Sequence, residues 1–186
     1  MTGALEPTNA PYATAKLAGI EMCVSYNKQY GTKFITIIPS NVYGINDNFN
    51  EDGHVLASLV EKFYFAKIKG KKTVTLWGTG RPRREFLFSD DLAVACIELM
   101  KNQNFGDIIN IGSRKDTTIK ELAEIIKKIM GFNGDIICDQ TKPDGNFRRS
   151  LDGSKMRTFG WQPATSLEEG IKKTYNWYKK NKVHQK

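Results

Sequence analysis

Histidine is nearly missing from this chain. His54 and His184 are the only two in 186 residues, which leaves a transition-metal centre with little support, and no metal is expected. Cysteine is almost as scarce: Cys23, Cys96 and Cys138 are odd in number and far apart. That pattern suits reduced thiols at small core positions better than a disulfide frame or a zinc site. No apolar stretch approaches the roughly 20 residues of a membrane span, and no charged-then-apolar leader precedes a cleavage site. A cytoplasmic location without a membrane partner is therefore expected. Internal repeats are absent. The one Gly-x-Gly, Gly78-Thr79-Gly80, lacks the third glycine and following helix of a dinucleotide fingerprint.

Positive charge is in excess, at a net +8, but it gathers in residues 67–72 and in the tail from Lys172 onwards. These read as solvated faces. A nucleic-acid surface would interleave aromatics with the basic run or carry a known module, and neither occurs, so no nucleic-acid partner is expected. A length of 186 residues and an apolar content of 40% suit one soluble globular domain, which at this size buries roughly 70% of its unfolded surface.

The order of elements alternates between helical and strand-like text. Leu17, Ile20, Val24 and Tyr30 recur at helical spacing and Gly31 stands where a helix stops, predicting a helix over 13–30. Residues 34–38 are an almost unbroken β-favouring run, ended by Pro39, as in a parallel strand covered on both faces. A polar loop over 44–53 leads to a helix at 55–66, and a strand at 73–77 reaches the Gly78–Gly80 turn. Strand-like residues 85–88 precede Ser89-Asp90-Asp91, which caps a helix to about residue 102. A strand at 107–111, a capping box at Thr118-Ile119-Lys120-Glu121 opening a helix to Met130, and a strand at 135–138 follow. A turn at 142–145, a short helix at 154–159 and a capped helix at 166–180 complete the chain.

The chemistry begins at Tyr12 and Lys16, which stand four residues apart at a helix opening and so share one face one turn apart. A free phenol has a pKa of about 10. A cation at about 4 Å, at an effective dielectric of roughly 20, favours the phenolate by about 4 kcal/mol, or about three pKa units. Tyr12 so tuned can hand a proton to a carbonyl oxygen that is receiving hydride. The pair taken alone is more often a surface contact. Arginine offers phosphate oxygens a planar fork, so Arg81, Arg83 and Arg84 beside a short strand suit a pyrophosphate clamp, or are simply exposed. His54 at the mouth of a helix is more often a cap or a surface residue than a catalyst. Asp144-Gly145 is good turn chemistry in its own right.

The segment Leu5-Glu6-Pro7-Thr8-Asn9-Ala10-Pro11-Tyr12-Ala13-Thr14-Ala15-Lys16-Leu17-Ala18-Gly19 resembles the catalytic segment of the extended short-chain dehydrogenase/reductases, and within them the GDP-L-fucose synthases. Further matches are Pro39-Ser40-Asn41-Val42-Tyr43-Gly44, Asp47-Asn48-Phe49, Trp77-Gly78-Thr79-Gly80, Arg84-Glu85-Phe86-Leu87, Asp90-Asp91 and Lys142-Pro143-Asp144-Gly145. The resemblance implies an α/β fold: the C-terminal part of a Rossmann-like parallel sheet over 1–44, then a smaller α/β substrate-binding lobe over 45–186 with segments returning to the first. It implies NADPH-dependent 3,5-epimerisation and 4-reduction of GDP-4-keto-6-deoxy-D-mannose to GDP-L-fucose, in a homodimer when the enzyme is complete. Tyr12, Lys16 and His54 would be catalytic. NADPH would lie on Tyr12, Lys16, Pro39, Ser40, Asn41, Val42 and His54. Lys62, Trp77, Arg84 and Asp144 would hold the GDP-sugar, with Lys62 standing where the family carries an arginine.

Only eleven residues precede Tyr12, and no glycine-rich cofactor motif is among them. The resemblance places the catalytic serine and a cysteine that pairs with the histidine upstream, so the chain reads as a C-terminal fragment, inactive and weakly stable by itself. The competing readings are another NAD-dependent nucleotide-sugar epimerase or dehydratase, which shares Tyr-x-x-x-Lys, and a non-catalytic piece that binds a sugar nucleotide weakly.

Overall fold

The computed structural model describes residues 3–50, 53–101 and 108–183. A 3-10 turn at Pro7–Asn9 runs into helix α1, Ala10–Tyr30. The helix opens three residues before the point its spacing predicts, because Pro11 in the first turn needs no amide partner and its fixed φ suits that position. Gly31 ends it in the left-handed conformation (φ 65°), its N–H bonded to the Asn27 carbonyl.

Strand β1, Thr36–Pro39, and strand β2, Asn41–Tyr43, are nearly one strand that changes partner at Ser40. β1 begins two residues later than expected and takes in Pro39 as its last residue: Pro39 pairs in register with Ile111, and the next amide, Ser40 N, donates to the Ile111 carbonyl at 2.9 Å. Helix α2 is Val55–Ile68, strand β3 Thr73–Trp77, strand β4 Arg83–Phe88 and helix α3 Ser89–Lys101. Strand β5, Ile108–Ile111, follows a stretch outside the described residues, where the predicted start at Asp107 falls. Then come strand β6, Asp116–Thr118, helix α4, Ile119–Met130, strand β7, Asp135–Asp139, strand β8, Arg148–Arg149, helix α5, Ser154–Thr158, and helix α6, Leu167–Val183.

The fold is α/β, with mainly parallel pairing. β1 pairs with β5, β2 with β4 and β3 with β7, all parallel, while β6 runs antiparallel to β4. β8 adds in parallel to the start of β4, so β4 is the spine on which three other strands converge. Two apolar cores result. The smaller joins Leu87, Ala95, Leu99, Ile109, Ile111 and Met156 beneath α3; the larger packs α2, α4 and α6 on β3, around Phe63, Leu76, Leu122, Ile126 and Tyr178. Two buried carboxylates tie loops to the spine. Glu85 accepts from Arg114 N (2.6 Å) and Leu151 N (2.9 Å), and Asp91 from Ala164 N (3.2 Å) and Thr165 N (3.1 Å). Among the described residues no helix is long and apolar enough to cross a membrane, and no group of three or more acidic, histidine or cysteine side chains is placed to hold a metal.

Candidate functional site

Tyr12 and Lys16 lie on the outer face of the first turns of α1, with Tyr12 60% exposed. The Lys16 ammonium stands over the Tyr12 ring, 5.4 Å from its centroid. One helical turn therefore brings the two together as the spacing requires, and the contact is with the ring face. The segment that delivers them is tied to the far end of the chain. With its amide oriented to satisfy both ends, Asn146 donates to Glu6 Oε2 (2.8 Å) and accepts from Arg149 Nε (3.2 Å) and Nη2 (3.0 Å). Sequence reasoning missed this link, since nothing local in Asn146 or Arg149 signals a partner so far away in the chain.

Residues 39–42 sit where β1 hands over to β2. Asn41 Nδ2 donates to the Glu85 carbonyl (2.9 Å), and Val42 pairs in register with Leu87. The segment is thus held as strand rather than loop. Ser40 Oγ and, two turns of pleat before it, Thr36 Oγ1 are shielded from water and have no protein partner. Orphaned hydroxyls of this kind call for a polar partner beyond the described residues.

His54 occupies the N-cap position of α2, and its main-chain carbonyl accepts from Ser58 N (2.9 Å), yet its ring caps nothing. Instead Nδ1 faces Asp47 Oδ1 at 3.5 Å, with the His54 side chain 80% exposed and that of Asp47 12%. Among the described residues no hydrogen bond or ion pair joins His54 to Tyr12, Lys16 or the groups expected to hold the nucleotide.

Those groups do converge. Trp77, 60% exposed at the end of β3, has the Lys62 ammonium 5.3 Å from its ring centroid and the Lys142 ammonium at 5.9 Å. Lys142 was not foreseen as a member, although its motif was. Asp144 commits both carboxylate oxygens to Thr79: Oδ1 accepts from Thr79 N (2.8 Å) and Oδ2 from Thr79 Oγ1 (2.7 Å). The Thr79 hydroxyl and then its amide hold the Asp144 carboxyl below the usual range. Gly78 takes the left-handed conformation (φ +73°), which favours glycine, and a Cβ there would also push on the Asp144 carboxylate. Arg84 Nη1 donates to the Arg83 carbonyl (2.8 Å) and the Asn146 carbonyl (2.7 Å), which fixes the guanidinium beside the 142–149 loop. Burial, and then Arg149 nearby, lower its pKa. Two ammoniums over an exposed indole, with the Arg84 and Arg149 guanidiniums held at Asn146 in the neighbouring 142–149 loop, suit a ligand that carries both an aromatic ring and several negative oxygens.

An open cleft of about 1270 Å³ lies beside the same turn, lined in part by Thr79, Arg81, Arg83, Lys120 and Gln140. None of the residues that the resemblance assigns to catalysis, cofactor or sugar nucleotide lines it; the clamp candidates Arg81 and Arg83 do. Its best-placed cation, Arg83, is already spent on Asp116 at 2.9 Å, with Arg148 on that carboxylate's other oxygen. The Trp77 cluster is the better anion site.

Comparison with known proteins bears on the family and the fold. The family model described as NAD dependent epimerase/dehydratase matches residues 1–112. GDP-L-fucose synthase 1 of Arabidopsis thaliana is 48% identical over 182 residues, covering 97% of this chain and 56% of its own. The crystal structure of a GDP-6-OMe-4-keto-L-xylo-heptose reductase from C. jejuni superposes with a TM-score of 0.91 at 38% identity, over 97% of this chain and 64% of that one. A GDP-mannoheptose C4 reductase from Campylobacter jejuni with NADP bound gives 0.85 at 40% identity, over 96% and 60%. The chain thus spans little more than half the length of its curated relative.

Proposed function

We propose a function from one premise: the chain belongs to the NAD dependent epimerase/dehydratase family. In company with a segment that binds the cofactor pyrophosphate, it catalyses 3,5-epimerisation and 4-reduction of GDP-4-keto-6-deoxy-D-mannose to GDP-L-fucose. The observation that carries this reading is the exposed Tyr12 with Lys16 over its ring, on a segment tied through Glu6 and Asn146 to the Arg84 and Arg149 guanidiniums.

A ketone at C4 acidifies the hydrogens at C3 and C5. One acid/base group takes such a proton, the C–H bond breaks and its electron pair moves into the enolate oxygen; a second group on the opposite face returns a proton and inverts the centre. His54 Nε2 is one of the two, and a group of the cofactor-binding segment is the other. Tyr12 then gives its phenolic proton to the C4 oxygen, and Lys16 stabilises the phenolate left behind. Trp77, Lys62, Arg84 and the Asp144-held turn orient the GDP so that C4 meets Tyr12. NADPH, when bound, supplies the hydride. Tyr12, Lys16, His54 and residues 39–42 would hold it, and the orphaned Ser40 hydroxyl fits a polar group of such a cofactor.

A second reading has a specific ground, the 38% and 40% identity to reductases of GDP-heptoses. In that case the chain reduces a GDP-keto sugar without inverting C3 and C5. Reaction in D₂O with NADPH and the keto sugar, after mixing with a separately made glycine-rich dinucleotide-binding segment, separates the two. GDP-L-fucose deuterated at C3 and C5 is the expected product. A reduced sugar without ring deuterium favours the second reading, and a mixture without turnover contradicts both.

A further inference from the structure

The loop between β2 and α2 is built around a contact that the reaction scheme above leaves unused. Asn46 takes the left-handed conformation (φ 61°), uncommon for a residue other than glycine. Phe49 stakes the loop to α6, stacked on Trp177 at 5.8 Å and tilted against Tyr178 at 4.6 Å. Gly53 closes it so tightly that a Cβ there would stand 2.1 Å from the Asn48 carbonyl. The result is that Asp47 turns back on His54. Its Oδ1 accepts from Asn48 N (2.7 Å) and faces His54 Nδ1 (3.5 Å), while Oδ2 is shielded from water without a partner.

A carboxylate accepts hydrogen bonds and donates none, so the neutral imidazole can satisfy Asp47 only by carrying its proton on Nδ1. The other nitrogen, Nε2, is then left with a free lone pair on an exposed edge of the ring. We propose that Asp47 is a positioning residue for His54, fixing the tautomer that presents Nε2 as the atom exchanging a proton with the carbon next to the substrate ketone. Asp47 touches neither substrate nor cofactor in this role; it acts through the ring, as the partner of a metal-bound or catalytic histidine commonly does. The chemistry assigned to Nε2 rests on the function proposed above, whereas the tautomer is a property of this chain alone.

The chain has only two histidines, so ¹⁵N NMR of the imidazoles reads the tautomer directly, with a His184→Gln variant to assign the signals. At a pH of about 8.5, two units above the ordinary imidazole value of about 6.5, His54 should be mainly Nδ1–H. Asp47→Ala should reverse that ratio, and Asp47→Asn, whose carbonyl can still accept, should restore part of it. The backbone amide spectrum of α2 and α6 guards against misfolding as the cause. An Nε2–H majority in the unsubstituted chain, or an unchanged ratio in Asp47→Ala, would overturn the proposal whatever the enzyme's substrate is. In the reconstituted enzyme, Asp47→Ala should slow deuterium wash-in at C3 and C5 roughly 10-fold, a part of the about 10²–10⁴-fold that a positioned acid–base group contributes. Hydride transfer to an already epimerised keto sugar, measured at saturating NADPH, should fall far less than wash-in; equal loss in both steps would mean that Asp47 only holds the loop.

Discussion

Single side chains show most clearly where local text sufficed. Tyr12 and Lys16 meet because helical geometry sets positions four apart on one face as neighbours. Trp77 and Arg84 stand out from their motifs, and the structure sets Trp77 beneath Lys62 and Lys142 and Arg84 against the Asn146 carbonyl. Asp144 illustrates what was not: its motif points to the sugar nucleotide, yet both its oxygens are engaged by Thr79, 65 residues away, a pairing that only the finished fold creates. If that latch is what presents Lys142 to Trp77, Asp144→Ala should weaken GDP binding by the chain about tenfold, or about 1.4 kcal/mol. Quenching of Trp77 fluorescence, checked with Trp77→Phe, measures it. Undiminished affinity would mean that the turn holds its shape unaided.

Elements were legible in proportion to their length and to the strength of their end signals. Helix α4 has the full reciprocal box, Glu121 N to Thr118 Oγ1 at 3.0 Å and Thr118 N to Glu121 Oε2 at 2.8 Å, and begins where the four-residue signature says. Thr118→Ala should cost about 1 kcal/mol, read as a lower denaturant midpoint with an unchanged slope. Strands β6 and β8 went unread for a physical reason. They are two or three polar residues each, held by pairing with β4 and by the carboxylate of Asp116 between Arg83 and Arg148, and neither has any apolar alternation to detect. Removing that shared carboxylate in Asp116→Ala should release β8 from β4 first, seen as faster amide exchange at Arg148 and Arg149 than in β7.

At the scale of the molecule, charge and surface decide behaviour. Burial pulls the Asp116 carboxyl upward, and bonds from Arg83 and Arg148 outweigh it; Thr118 lowers Glu121, Thr141 lowers Asp139, and Ser154 lowers Asp152. A carboxyl lowered in the folded state binds protons more readily when unfolded. Stability from these groups is therefore present above the unfolded value of about 4 and is lost as pH falls through the lowered folded values. Denaturant midpoints should be flat between about pH 8 and 5 and drop below about 4, where a net charge already at +8 rises further. A midpoint that climbs on acidification would contradict the assignment.

The same scale shows why the α/β class was legible while the extent of the site was not. Alternating strand and helix text suffices for the class. The surface, however, leaves Met22, Tyr26 and Tyr30 of α1 and Val94, Ile97 and Met100 of α3 exposed. What covers such faces is not written in the residues that form them.

The central claim is that Tyr12 completes the reduction of a GDP-bound sugar ketone. Single-turnover oxidation of NADPH by the reconstituted enzyme, followed with the unsubstituted chain and with Tyr12→Phe at matched occupancy, tests it most directly. The account predicts that the variant loses about 10²–10⁴-fold in rate while still binding GDP; a Tyr12→Phe chain that reduces the sugar as fast as the original would contradict it.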